Sequence, residues 1–203
     1  VARLFLGRYE APELAFIRQY LPRDLDVLEL GASIGVASAR IAQRLPPERR
    51  LICVEANPHL GPLIEQNVAL NTAGCALVVL NQAIDYSGRP SVRLQISETN
   101  TNSRLSRDAG GLAVAATTLT ALITQFALKS FVLVADIDGA ELGLILHDQA
   151  GLSQVQQLII ELHATEYLGE VWTPERMCAA LVTTHHFRVR AVRGPVYVFD
   201  RAD

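Results

Sequence analysis

Two acids two residues apart, Asp136 and Asp138, close an apolar run and are followed by Gly139-Ala140-Glu141. A later apolar run ends in Glu161 and His163. If the first run continues as a strand through both aspartates, their side chains point the same way. Parallel neighbours lie about 4.8 Å apart, so His163 is expected within reach of Asp136, acting as a general base on a hydroxyl while the carboxylate raises its pKa and fixes its tautomer. The same residue types allow two blander readings. The acids can cap the helix after Gly139 while His163 merely packs, or Asp136, Asp138 and His163 can supply an oxygen-rich Mg²⁺ site, which is the less favoured chemistry.

A second constellation lies nearer the start of the chain. Val27-Leu-Glu-Leu-Gly-Ala-Ser-Ile-Gly-Val36 reads as a strand, a glycine-punctuated turn and the start of a helix. Gly31 and Gly35 let the backbone approach a ligand closely. The spacing is not the G-x-G-x-x-G of a dinucleotide site, and the carboxylate of Glu29 would repel a pyrophosphate while suiting an ammonium group. Glu55 ends the next apolar run, 24 positions after Gly31. An open α/β sheet places there an acid that accepts both hydroxyls of a ribose, although a solvated capping acid beside Asn57-Pro58 fits as well. The side-chain amides of Asn81-Gln82-Ala83 close a third run, where they can meet an adenine edge. The ligand these features describe is an adenosine with an ammonium and no phosphates. S-adenosylmethionine answers to it.

Positioning these groups requires strands that alternate with helices. Apolar runs at Asp26 to Leu30, Leu51 to Glu55, Ala76 to Leu80, Phe131 to Ala135 and Leu158 to Leu162 predict strands covered on both faces, hence a mostly parallel α/β sheet. Helical periods separate them: Leu14, Ile17 and Leu21, then Ala37, Ile41 and Leu45, then Leu60, Ile64 and Val68. Later periods are Leu119, Leu122, Ile123 and Phe126, then Leu142, Ile145 and Leu146, then Met177, Ala180 and Leu181. Asn57-Pro58 and Thr173-Pro174 each read as an N-cap followed by proline at the first helical position. Phe187 to Val192 and Val196 to Asp200, split by Arg193-Gly194-Pro195, predict a closing antiparallel hairpin. About fifty residues separate the third strand from Phe131, among them an alternating run Val92, Leu94, Ile96 and a polar tract from Ser97 to Gly111 expected to act as a lid.

Composition narrows the function classes. The 203 residues suit a single domain spanning 1–203, half of them hydrophobic and 19% charged, which excludes a disordered chain or charged coiled coil. With a formal charge of −3 and Arg49-Arg50 the sole adjacent basic pair, nucleic acid is not the expected partner. No apolar run approaches the roughly 20 residues of a bilayer span, so no membrane association is expected. The three cysteines, Cys53, Cys75 and Cys178, are odd in number and widely spaced, as buried reduced thiols in a cytoplasmic protein would be.

Taken together, these residues resemble the FkbM-type S-adenosylmethionine-dependent methyltransferases over about Tyr9 to His163. The matching pieces are Tyr9-Glu10, the loop from Glu29 through Gly31, Ala32 and Ser33 to Gly35, Val54-Glu55-Ala56-Asn57-Pro58, Glu65-x-Asn67 with Asn71, Asn81-Gln82-Ala83, and Asp136-Ile-Asp-Gly-Ala-Glu141. Ser33 stands where the family commonly has Asn, Asp138 where it commonly has Glu, and Val134 where a Lys often precedes the motif. The resemblance implies a class I Rossmann-like fold with a seven-stranded sheet. It also implies methyl transfer from S-adenosylmethionine to a hydroxyl of a sugar, polyketide or other natural-product intermediate. Glu10, Ala32, Ser33, Ala56, Gln82 and Ala83 are implied to join Glu29, Gly31, Gly35, Glu55, Asn81 and Asp136 around the cofactor. A non-catalytic scaffolding protein that keeps this fold is the competing reading, and intact Gly31, Gly35 and Glu55 weigh against it.

Overall fold

The computed structural model describes residues 11–71, 74–95, 104–106 (backbone only) and 111–202. Helix α1 (Ala11–Tyr20) buries Phe16 and Ile17, and the Arg44 guanidinium donates to the carbonyls of Arg18 and Leu21 at its C-terminal end. The chain then alternates as the apolar runs predict: β1 (Asp26–Leu30), α2 (Val36–Ala42), β2 (Arg50–Glu55), α3 (Gly61–Asn71) and β3 (Ala76–Asn81). An insertion of four short strands follows: β4 (Ala83–Ile84), β5 (Ser91–Gln95), β6 (Arg104–Ser106) and β7 (Leu112–Thr117). Next come α4 (Leu119–Phe126), β8 (Phe131–Ala135), α5 (Glu141–His147), α6 (Gln149–Leu152) and β9 (Val155–Glu161). A hairpin of β10 (Thr165–Tyr167) and β11 (Glu170–Trp172), then α7 (Pro174–Thr183), β12 (Phe187–Arg193) and β13 (Val196–Arg201), complete the described chain.

Seven of these strands form the central sheet in the order β12-β13-β9-β8-β1-β2-β3. β1 pairs in parallel with both β2 and β8, while β13 runs antiparallel between β9 and β12 as the closing hairpin requires. Because the chain leaves β1 outward to β2 and β3 and returns to β8 on its other side, the order reverses between β1 and β8. A crevice at the carboxyl ends of an open parallel sheet forms at such a reversal. β8 is buried along its whole length, with α4, α5 and α7 contributing Leu122, Leu142 and Met177 to one face and α1, α2 and α3 contributing Ile17, Ile41 and Ile64 to the other. Among the described residues no helix is long and apolar enough to cross a membrane. Cys53 and Cys178 are free thiols, the first buried and the second half-buried, and Cys75 is buried.

The structure departs from the sequence reading at four places. The fifth predicted strand begins three residues early, at Val155, where the Gln157 amide nitrogen donates to Asp200 Oδ1 on β13 at 3.0 Å. Asn57 caps a turn rather than a helix: its Oδ1 accepts from the His59 N–H, and α3 starts only at Gly61. The run through Asp136 to Asp138 is not strand, since β8 stops at Ala135 and Asp138 and Gly139 take positive φ values of 50° and 101°. Finally, the long insertion carries its own sheet, in the order β4-β7-β5-β6 around Ala83, Leu94 and Val114. Three residues of the expected lid, Arg104–Ser106, are strand paired with β5, and most of the tract lies outside the described residues.

Candidate active site at the sheet reversal

Two glycines fix the shape of the loop after β1. Gly31 and Gly35 have φ values of 85° and 82°, and a side chain on Gly31 would place its Cβ 1.8 Å from the Asp136 carbonyl oxygen. On Gly35 it would lie 2.8 Å from the Ile64 Cα. The Gly31 N–H donates to the Val54 carbonyl, and Asn67 of α3 donates its side-chain amide to the Ile34 carbonyl at 2.6 Å. The glycine loop is thus clamped between β2, α3 and the end of β8.

Glu55 closes this clamp. One carboxylate oxygen accepts the Ser33 N–H at 2.8 Å and the other the Asn57 N–H at 2.7 Å. Burial raises its pKa above the ordinary carboxylate value, with the Asp138 charge adding to the rise and the backbone donors opposing it. Each oxygen keeps a second lone pair for a ribose hydroxyl. The Asn81 amide donates to the Glu55 and Ala56 carbonyls, both at 2.9 Å, so its nitrogen braces the backbone and only its oxygen is left for an adenine edge. Ser33 Oγ and Gln82 Oε1 are buried without a hydrogen-bond partner among the described residues. Buried polar atoms in that condition are costly, and a polar ligand would satisfy them. Ala32 and Ala83 are buried and Ala56 is half-buried beside them, whereas Glu10 lies outside the described residues.

Glu29 is buried under the loop rather than displayed in the crevice. It accepts the Ser38 hydroxyl at 2.6 Å and the Cys53 thiol at 3.1 Å, and burial pushes its pKa up to about 7. In this position it props α2 against β2.

On the other side of the reversal, a cluster forms at the ends of β8 and β9. His163 does meet Asp136, but at 3.9 Å, and its close partner is Glu141, whose Oε1 lies 3.1 Å from Nδ1. Glu141 is fully buried and accepts the N–H groups of Ile137 and Gly139, folding the turn back upon itself. Glu161 Oε1 stands 3.5 Å from His163 Nε2. Asp138, expected beside Asp136, is exposed on the turn instead, though its charge still raises the pKa values of Asp136, Glu55 and Glu161. Burial, reinforced by Glu161, pushes Asp136 up to about 7, while the hydrogen bond that His163 donates to Glu141 pushes His163 up to about 9.

Asp136, Glu141 and His163 bring one atom of metal-binding type each to within 4.8 Å of one another. Glu141 is already satisfied by His163 and by the Ile137 and Gly139 N–H groups, so the trio reads as an ion-pair network and not as an open coordination shell. Sequence reasoning missed Glu141 as a site residue. Its signal was the acid two positions after Gly139, placed to reach back to upstream N–H groups as the acid of a capping box does.

No protein-family model and no curated sequence matches this chain. Solved structures do. Ribosomal protein L11 methylase from Lactobacillus delbrueckii subsp. bulgaricus aligns over 97% of this chain and 80% of its own, with a TM-score of 0.53 and 14% identity. The N-methyltransferase NodS from Bradyrhizobium japonicum WM9 aligns over 97% of both chains at a TM-score of 0.54 and 10% identity. A Streptococcus pneumoniae protein assigned as a tRNA (m1A22) methyltransferase, solved with S-adenosyl-L-methionine, aligns over 95% of this chain and 73% of its own at a TM-score of 0.52 and 10% identity. The chain therefore has the mostly parallel, seven-stranded Rossmann-like fold of S-adenosylmethionine-dependent methyltransferases.

Proposed function

We propose that this chain is an FkbM-type S-adenosylmethionine-dependent methyltransferase whose acceptor is a hydroxyl of a small molecule such as a sugar, polyketide or other natural-product intermediate. One observation carries the reading. The ribose-type acid Glu55 and the transfer-side Asp136 flank a glycine loop that contacts them both, through the Ser33 N–H and the packing of Gly31 on the Asp136 carbonyl. When bound, S-adenosylmethionine supplies an electrophilic methyl group on a sulfonium, and the C–S electron pair stays with sulfur as the methyl leaves. Glu55 holds the ribose hydroxyls, Gly31, Ala32, Ser33 and Gly35 form the floor, and Asn81, Gln82, Ala83 and Ala56 line the base. Glu29 acts from below by fixing α2.

The acceptor side is strongly acidic: Asp136, Glu141 and Glu161 surround His163, with Asp138 exposed on the adjoining turn. A phosphate backbone would be repelled there, which supports a neutral hydroxyl compound over nucleic acid. Alignment of the acceptor in a site shielded from water accounts for much of the rate expected of methyl transfer.

Glu55→Gln tests the cofactor half directly. It keeps an oxygen for one N–H but removes the charge from the hydrogen bonds to ribose, so S-adenosylmethionine affinity measured by calorimetry is expected to fall by about 1.5–3 kcal/mol. An unchanged affinity removes Glu55 from the binding site.

A further inference from the structure

We propose that Asp136, not His163, takes the acceptor's proton, and that His163 is a fixed imidazolium, clamped by Glu141, whose charge keeps Asp136 able to do so; this assignment rests on the methyl-transfer reading above. The geometry at the two ring nitrogens carries it. Nδ1 lies 3.1 Å from Glu141 Oε1, and Nε2 lies 3.5 Å from Glu161 Oε1 and 3.9 Å from Asp136 Oδ1. A neutral imidazole has one N–H and one lone pair. With carboxylates on both sides, the lone pair of the neutral ring would face a carboxylate oxygen, whereas the protonated ring donates at both ends. A base needs its lone pair free at the working pH, and His163, pushed up to about 9, lacks one below that value.

Glu141 is held independently of the histidine. Its two oxygens accept the Ile137 and Gly139 N–H groups from a fully buried position, so the clamp is part of the turn itself. Asp136 is placed differently. Its N–H donates to the Leu30 carbonyl and its own carbonyl fills the space beside Gly31, while its Oδ1 is buried with no hydrogen-bond partner among the described residues. It therefore stands where the cofactor loop and the acidic cluster meet.

The groups facing Asp136 explain why the cation is needed. Glu161 from β9, Asp138 from the shared turn and Glu141 from α5 all favour its protonated form, as does burial. His163 alone among these opposes them. The balance leaves Asp136 near 7, where a carboxylate can accept a proton and release it again. In the step itself, the acceptor's hydroxyl proton moves to the Asp136 carboxylate, whose side chain is partly exposed, and the acceptor oxygen keeps the electron pair that bonds the methyl carbon. The proton then passes from Asp136 to solvent, and His163 stays protonated throughout. Asp136 is thus the catalytic residue, with His163 and Glu141 as positioning residues.

The test is NMR titration of the ligand-free protein, with labelled histidine and aspartate side chains, from about pH 5 to 10. It needs neither cofactor nor acceptor, so the result stands apart from calorimetry with S-adenosylmethionine, which judges the methyl-transfer reading. In the wild type both His163 nitrogens are expected to carry protons at about pH 7.5, with a midpoint near 9, while the Asp136 carboxyl titrates near 7. Glu141→Gln is expected to lower the His163 midpoint toward the ordinary histidine value. His163→Gln, a change at a partly exposed side chain, is expected to raise the Asp136 midpoint above its wild-type position, and this arm decides the matter if Glu141→Gln does not fold. A His163 nitrogen bare at about pH 7.5, an Asp136 titrating in the ordinary aspartate range, or an Asp136 midpoint indifferent to His163→Gln would each overturn the proposal.

Discussion

Glu29 and Glu55 illustrate how much of a residue's role depends on what lies beneath it. Both acids end apolar runs, and in the sequence both read as ligands for the cofactor. Only Glu55 opens toward the crevice, and it also holds the backbone of Ser33 and Asn57, so Glu55→Ala would loosen the loop as well as empty the site. Glu29 is buried, with a pKa moved from 4.5 to about 7 mainly by loss of solvent. Its folded-state pKa is raised, so the native protein binds this proton more tightly than the unfolded chain does. The contribution to stability is therefore present below about 4.5 and is lost as pH rises toward about 7. Glu29→Gln, which mimics the protonated acid and can still accept from Ser38, is expected to gain stability over the wild type by up to about 3 kcal/mol by pH 8 and to show little difference at pH 4. Urea unfolding at the two pH values checks it, and a difference independent of pH would show that Glu29 does not titrate in this range.

At the scale of elements, the strands were legible wherever they were covered on both faces. Phe131–Ala135 is an unbroken apolar run because nothing in β8 meets water, and that run was read as a strand, although its continuation through Asp136 and Asp138 was not borne out. Gln156 and Gln157 hid the start of β9, since the acceptor for the Gln157 amide nitrogen is Asp200, 43 residues later. The insertion sheet was hidden for another reason: β4 and β6 are two and three residues long, too short for any alternation to register. The acidic turn was misread because a strand pattern says nothing about the positive φ at Asp138, which moves that side chain outward and brings Glu141 into its place. Glycines that carry the site can be separated from those that merely turn the chain. Gly88 has a φ of 77° with nothing within 4 Å of an added Cβ, so Gly88→Ala should cost only the conformational penalty of about 1–2 kcal/mol. Gly31→Ala adds a collision with the Asp136 carbonyl and should cost several kcal/mol more, or abolish folding. Equal denaturation midpoints for the two variants would mean that the loop and the end of β8 are not packed as described.

For the whole molecule, the strand order is what turns scattered residues into one site. The reversal between β1 and β8 places the glycine loop, Glu55 and Asp136 along one edge although they span more than a hundred positions in sequence. The overall α/β class and the closing antiparallel hairpin were readable from the alternation of apolar runs and helical periods, because those patterns are set by burial on two faces. The acceptor was not readable, because the residues that would contact it are distributed over separate turns with no fixed spacing. Structural neighbours at 10–14% identity share the scaffold and differ in what they act on, so they speak to the fold alone. The central claim is that the crevice at the reversal binds S-adenosylmethionine and its product and does not bind a dinucleotide. Thermal unfolding of the wild-type protein with S-adenosylhomocysteine or with NAD measures this most directly, because a ligand that binds only the native state stabilises it by about 2.7 kcal/mol at a hundred times its dissociation constant. The account predicts a melting temperature that rises with S-adenosylhomocysteine concentration and stays constant with NAD; a constant temperature with S-adenosylhomocysteine, or an equal rise with NAD, would contradict it.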